Sequence, residues 1–161
     1  MIEIRGLVKN YGADGAIAAL KGIDLKIAAG EFVVVLGPSG AGKSTMLRCI
    51  NRLTVPSAGE VVIDGVSFAA SGRRDLRELR RSAAMIFQQH NLVRRLSVLK
   101  NVLVGRMAGL PALPTMFHLF PDVDVRIAMH CLEQVNLEHK AQARADTLSG
   151  GEQQRVGIAR A

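Results

Sequence analysis

The sequence predicts a mixed α/β fold organised around a phosphate-binding loop. Three observations predict it. The run Phe32-Val33-Val34-Val35-Leu36 has the unbroken hydrophobicity of a buried strand. It leads into Gly37-Pro38-Ser39-Gly40-Ala41-Gly42-Lys43-Ser44-Thr45, a complete GxxxxGK[ST] motif. Met46-Leu47-Arg48-Cys49-Ile50 then opens a helical pattern. Strand, glycine-rich turn and helix form the context in which this motif binds phosphate rather than merely turning the chain. Glycines at 37, 40 and 42 tolerate φ > 0, which lets backbone N–H groups converge on an anion. A helix starting near Lys43 adds free N–H groups and the positive end of its dipole. Lys43 would reach the β- and γ-phosphates, and the Ser44 hydroxyl would bind Mg²⁺.

Composition bounds the alternatives. The 161 residues, 48% hydrophobic and 22% charged, suit one globular domain and exclude a disordered chain. No apolar run approaches the ~20 residues of a membrane span. The N-terminal Met1-Ile2-Glu3-Ile4-Arg5-Gly6 alternates like a strand and lacks a signal-peptide core, so a cytoplasmic setting is expected. Cys49 and Cys131 show no CxxC or Cys/His spacing; both are expected to be buried free thiols, with no metal site. The formal charge of +7 raises nucleic acid or an anionic surface as partners. The one dense basic run, Arg73-Arg74-Asp75-Leu76-Arg77-Glu78-Leu79-Arg80-Arg81, carries interleaved acids and reads instead as a solvated helix face. No nucleic-acid partner is expected.

In chain order, 2–8 and 23–28 read as strands separated by the turn-rich Tyr11-Gly12-Ala13-Asp14-Gly15. Tyr11, the only tyrosine in a chain without Trp, suits rim packing or stacking on a purine. A helix over 43–53 ends near Asn51-Arg52-Leu53, before Pro56. Asp64-Gly65 within 61–68 is a two-residue hairpin turn, which accounts for Asp64 without catalysis. A basic helix over 73–81 precedes the apolar run 83–87, a second buried strand ending at Gln88-Gln89-His90-Asn91. Ser97 N-caps a further helix, Pro111, Pro114 and Pro121 break 105–122 into a connection, and Val125, Ala128, Leu132 and Val135 line one face of a helix over 122–136. His118, His130 and His139 have no ligand partners in the pattern and read as structural or solvated. The result is a βα core with an inserted helical section, roughly 90–147.

The last stretch is Leu148-Ser149-Gly150-Gly151-Glu152-Gln153-Gln154-Arg155. Ser149 three residues before Glu152 is a capping box that marks a helix start. Gly150 and Gly151 each cost that first turn about 1 kcal/mol relative to Ala. A ligand that must approach closely would account for keeping them.

LSGGEQQ at 148–154 resembles the signature sequence of ABC-type ATPases, and with the phosphate loop and the Phe87-Gln88 junction the likeness extends along the whole chain. The resemblance implies a P-loop NTPase fold of the ABC nucleotide-binding type, with a nucleotide-binding core and β-subdomain over 1–89, a helical subdomain over 90–147 and a signature helix over 148–161. It implies ATP and Mg²⁺ as ligands. Tyr11 would stack on adenine, residues 37–45 would hold the phosphates, and Gln88 would join Ser44 at the Mg²⁺ and water site while sensing the membrane partner. Ser149, Gly150 and Gly151, with Glu152 beside them, would contact the γ-phosphate of ATP held by a second subunit in a head-to-tail dimer. The implied partners are transmembrane permease subunits and, indirectly, a periplasmic solute-binding protein, with the chain peripheral on the cytoplasmic face of the membrane. Residues 85–93, 96–106 and 117–121 are similar to phosphonate-import ATP-binding subunits. Importers of amino acids and other solutes share most of these words.

One departure from the family's pattern shapes the expectations. The Asp-Glu strand that supplies a Mg²⁺ anchor and the general base, and the later strand with its histidine, do not occur in this sequence. Apolar edges around Val33-Val34-Val35 are therefore expected to lie open. Two functions follow: a transporter ATPase subunit represented in part, or a nucleotide-binding remnant without hydrolysis. The chain alone is expected to show no ATP turnover. A nucleic-acid or ribosome-directed ABC ATPase, which often carries two cassettes, fits 161 residues less well.

Overall fold

Alternation of apolar and polar residues builds the first sheet in this computed structural model, which describes all residues except 13, 69–71, 88–90 and 108–119. Strand β1 (Ile2–Tyr11) pairs antiparallel with β2 (Ile17–Ile27), setting Ile4 opposite Leu25, Lys9 opposite Leu20 and Tyr11 opposite Ile17. Its other edge pairs with β3 (Ala58–Ile63), which folds back into β4 (Val66–Ser67), giving the order β2-β1-β3-β4. The hairpin turn falls on Asp64 and Gly65 with φ of 49° and 83°, the left-handed pair a two-residue loop needs. Helix α1 (Lys43–Ile50) lays Met46, Cys49 and Ile50 against Ile4, Leu7, Leu20, Val61 and Ile63, and α2 (Arg73–Ser82) adds the fully buried Leu79. These elements belong to one unit, Met1–Ala83.

Two expectations change here. β1 and β2 are longer than the sequence pattern indicated, because pairing continues to Tyr11 and Ile17 across a turn closed by the Gly15 N–H on the Gly12 carbonyl. Among the described residues, the runs 32–36 and 83–87 form no strand. A strand exists only when a neighbour takes its N–H and C=O groups, and every ladder among the described residues is antiparallel and lies elsewhere. Phe32 and Leu36 are accordingly 89% and 86% exposed, and Val34 and Val35 lie open as well.

The second unit, Ala84–Ala161, is helical. Its elements are α3 (Val98–Arg106), α4 (Asp122–Gln134), two 3₁₀ turns at Glu138–Lys140 and Ala145–Thr147, and α5 (Gly150–Arg160). Ser97 caps α3 by accepting from the Lys100 N–H at 3.3 Å. Val98, Val102, Leu103, Ala128, Leu132, Leu137, Leu148 and Val156 close one core, with Val125 and Val135 packed on it. Gly105 lets α3 touch α5, since a Cβ there would run into the Arg160 carbonyl. Asn101, 1% exposed, pins the preceding loop: its Oδ1 accepts from the Val93 N–H at 2.8 Å and its Nδ2 donates to the Val93 and Ser97 carbonyls. Cys49 is a buried thiol as expected, whereas Cys131 is only half-buried because it lies at the margin of the α4 face. No helix among the described residues is long and apolar enough to cross a membrane.

Candidate functional site

The phosphate loop's shape is set by where glycine is required. Gly42 is the N-cap of α1, with φ 86° and ψ 0°. A Cβ on it would stand 2.5 Å from the Ala19 carbonyl oxygen and 2.9 Å from Leu20 Cδ2, so β2 itself forbids a side chain there. Gly40 also has φ of 84° but faces open space. The Met46 N–H donates to the Gly42 carbonyl at 2.8 Å and starts the helix, while no side chain caps it and its first turn holds no acid. The N-terminal N–H groups and the positive dipole end are therefore available to an anion.

Lys43 completes the cradle. Its Nζ donates to the Gly37 and Pro38 carbonyls at 2.7 Å each, folding the ammonium back over the loop it belongs to. A second turn, from the Ala41 N–H to the Pro38 carbonyl, holds the loop's bend. Gly37, Pro38, Ser39, Gly40, Ala41 and Ser44 are exposed, and Thr45 is half-buried. An uncapped helix start, a positive side chain and open access suit a polyphosphate. Ser44, a hydroxyl at the helix start, suits a Mg²⁺ ligand.

Tyr11 is 39% exposed at the end of β1, with Lys9 Nζ 5.0 Å from its ring centroid. Gln88, expected at the Mg²⁺ site, lies outside the described residues, as does His118. His130 meets Glu133 and Gln134 on its own helix, and His139 is exposed. No group of three or more His, Cys, Asp or Glu among the described residues could hold a metal.

At the start of α5 the capping box is formed as a reciprocal pair. Ser149 Oγ accepts from the Glu152 N–H at 3.4 Å, and Glu152 Oε2 accepts from the Ser149 N–H at 2.9 Å. Lys140 reaches across from the 3₁₀ turn and donates to Glu152 Oε1 at 2.5 Å. That hydrogen bond, reinforced by those from Ser149, pulls the Glu152 carboxyl down to about 2. Gly150 and Gly151 are exposed, and a Cβ on either would meet nothing within 4 Å. Nothing packed against them among the described residues requires glycine at these positions.

The structure thus gathers Tyr11 and residues 37–45 in the first unit and Ser149–Glu152 in the second. Sequence reasoning missed two participants. Lys9 carried a usable signal, because residues two apart on a strand share a face. Lys140 carried none: it is twelve residues from Glu152, and only folding joins them.

Comparison with known proteins agrees with this geometry. The profile described as ABC transporter matches residues 20–161. The phosphonates import ATP-binding protein PhnC of Shouchella clausii is 53% identical over 161 residues, covering all of this chain and 60% of that protein. PhnC of Lactobacillus acidophilus is 54% identical over 160 residues, 99% of this chain and 62% of its own length. The chain spans about three fifths of the length of these curated relatives. Among solved structures, the dimeric bacterial ABC transporter cassette MJ0796 superposes with a TM-score of 0.85 at 38% identity, over 99% of this chain and 68% of its own. CbiO1 from Clostridium perfringens, part of the ABC transporter complex cbiONQ, gives 0.79 at 30% identity, over 99% of this chain and 59% of its own. The chain belongs to the ABC transporter family.

Proposed function

We propose that this chain is the nucleotide-binding portion of an importer's ATP-binding subunit, and that the importer carries phosphonate. The observation that carries the reading is the phosphate loop: α1 starts at Gly42 with no side-chain cap, and the Lys43 ammonium is folded back over Gly37 and Pro38 of the same loop. In this reading Gly37, Pro38, Ser39, Gly40, Ala41, Gly42 and Thr45 wrap the phosphates of ATP. Lys43 exchanges its two carbonyl partners for phosphate oxygens, and Tyr11 stacks on the adenine. Ser44 and Gln88 hold Mg²⁺, which when bound neutralises charge on the β- and γ-phosphates. In this reading Lys43 and Gln88 would act on the reacting phosphate.

The start of α5 supports the second half of the reading. Gly150 and Gly151 leave the first turn of α5 open beside the exposed Ser149, and Lys140 neutralises the Glu152 carboxylate that would otherwise repel an anion. They suit the γ-phosphate of a nucleotide held by a second, head-to-tail subunit. Closure of two subunits on ATP would then drive transmembrane permease subunits fed by a solute-binding protein, with the chain peripheral at the cytoplasmic face of the membrane. The division proposed for these roles is 1–89 for nucleotide binding, 90–147 for the helical subdomain and 148–161 for the signature helix. Amino-acid import is the competing solute. Phosphonate is favoured because the relatives bearing that name are about half identical over the whole chain. Growth of the source organism on a phosphonate as sole phosphorus source tests this: a chromosomal Lys43→Ala change is expected to abolish it, and undiminished growth contradicts the proposal.

A further inference from the structure

Two residues before Tyr11, Lys9 makes two contacts. Its Nζ donates to the Val55 carbonyl at 2.9 Å and stands 5.0 Å from the Tyr11 ring centroid. The segment it grips is itself fastened to β1, through the Asn10 N–H on Ser57 Oγ at 3.0 Å and the Ser57 N–H on the Val8 carbonyl at 2.8 Å. The ammonium is therefore anchored on a fixed segment, and the ring beneath it has one face covered.

Register brings the Tyr11 backbone near the phosphate loop. Tyr11 is paired with Ile17 on β2, and Gly42 lies against Ala19 on the same strand. Two residues along a strand at ~3.3 Å each, and one strand spacing of ~5 Å, put the Tyr11 backbone about 8 Å from Ala19, the residue against which Gly42 of the loop lies. A nucleotide with its phosphates at Lys43 can lay its base on the ring.

We propose that Lys9 is a positioning residue for the base: anchored on the Val55 carbonyl, it covers one face of Tyr11 and fixes the ring so that a purine stacks on the other. This rests on the reading of Tyr11 as the base platform. An ammonium over a partly exposed ring is a modest attraction, so the effect is on the base and not on the phosphates. That distinguishes Lys9 from a cation that simply attracts polyphosphate.

The chain supplies its own reporter, because Tyr11 is the only tyrosine and there is no Trp. Tyrosine fluorescence and calorimetry on the whole chain, with MgATP and with magnesium tripolyphosphate, compare wild type, Lys9→Met and Lys9→Arg. Met keeps the stem and removes the charge. Expected are quenching of Tyr11 by ATP and about two- to five-fold weaker ATP binding in Lys9→Met. Tripolyphosphate affinity should stay unchanged, and Lys9→Arg should restore ATP. Equal weakening of both ligands, or no change in either, overturns the proposal while leaving nucleotide binding intact. Lys43-dependent ATP binding without any Tyr11 response removes the base platform and this inference with it. A wild type that binds neither ligand overturns the functional reading as a whole.

Discussion

Gly42 and Gly40 share a left-handed backbone but differ in what surrounds them, and that difference predicts different costs. Gly40→Ala meets only backbone strain, about 1 kcal/mol. Gly42→Ala adds a collision with the Ala19 carbonyl on β2, which cannot swing aside as a side chain can. Urea unfolding should show Gly42→Ala destabilised by about 2 kcal/mol or more, clearly beyond Gly40→Ala. Equal losses would mean that the packing of α1 on β2 is not as described. Both glycines were legible in the sequence because the motif's spacing is local. The Lys43 contacts with Gly37 and Pro38 were not, because only the folded loop shows which carbonyls its ammonium reaches.

At the scale of elements, α5 shows how much of a helix start is written in four residues. Ser149 and Glu152 predicted the capping box, and it forms. Lys140 was invisible, and it gives the box its pH dependence. The Glu152 carboxyl falls from 4.5 to about 2 on folding, first through Lys140 and then through Ser149. A folded value below the unfolded one stabilises the native state above pH ~4.5, and that contribution is lost as pH falls towards ~2. Glu152→Gln keeps a residue suited to the box but cannot titrate. Thermal melts between pH 5 and pH 2 should therefore fall less steeply for Glu152→Gln than for wild type; parallel slopes would rule out Glu152 as a source of acid sensitivity. Strand prediction succeeded where pairing is antiparallel and turns are local, as at Asp64-Gly65. It failed at 32–36 and 83–87, because hydrophobicity marks a strand's wish to be buried and not the presence of its neighbours.

The whole molecule carries the consequence. Its paired sheet and its helical core each bury their own apolar faces, yet Phe32, Val34 and Leu36 remain open to solvent. Contiguous exposed apolar residues favour self-association. Phe32→Lys with Val34→Lys should reduce aggregation and dye binding of this chain while changing its unfolding free energy by no more than about 0.5 kcal/mol. A large loss of stability would show that the run is buried after all.

Composition and two local motifs led to the family, since the phosphate loop and the signature helix are contiguous in sequence. The placing of Tyr11, the proposed base platform, relative to β2 depended on strand register, which no local pattern contains. The central claim is that the loop at 37–45 holds the phosphates of ATP through Lys43. Calorimetric titration of MgATP into the wild-type chain and its Lys43→Ala variant tests it most directly. Loss of a charge-assisted hydrogen-bond donor to phosphate predicts affinity about ten- to a hundredfold weaker in the variant. Equal affinities in the two proteins would contradict the account.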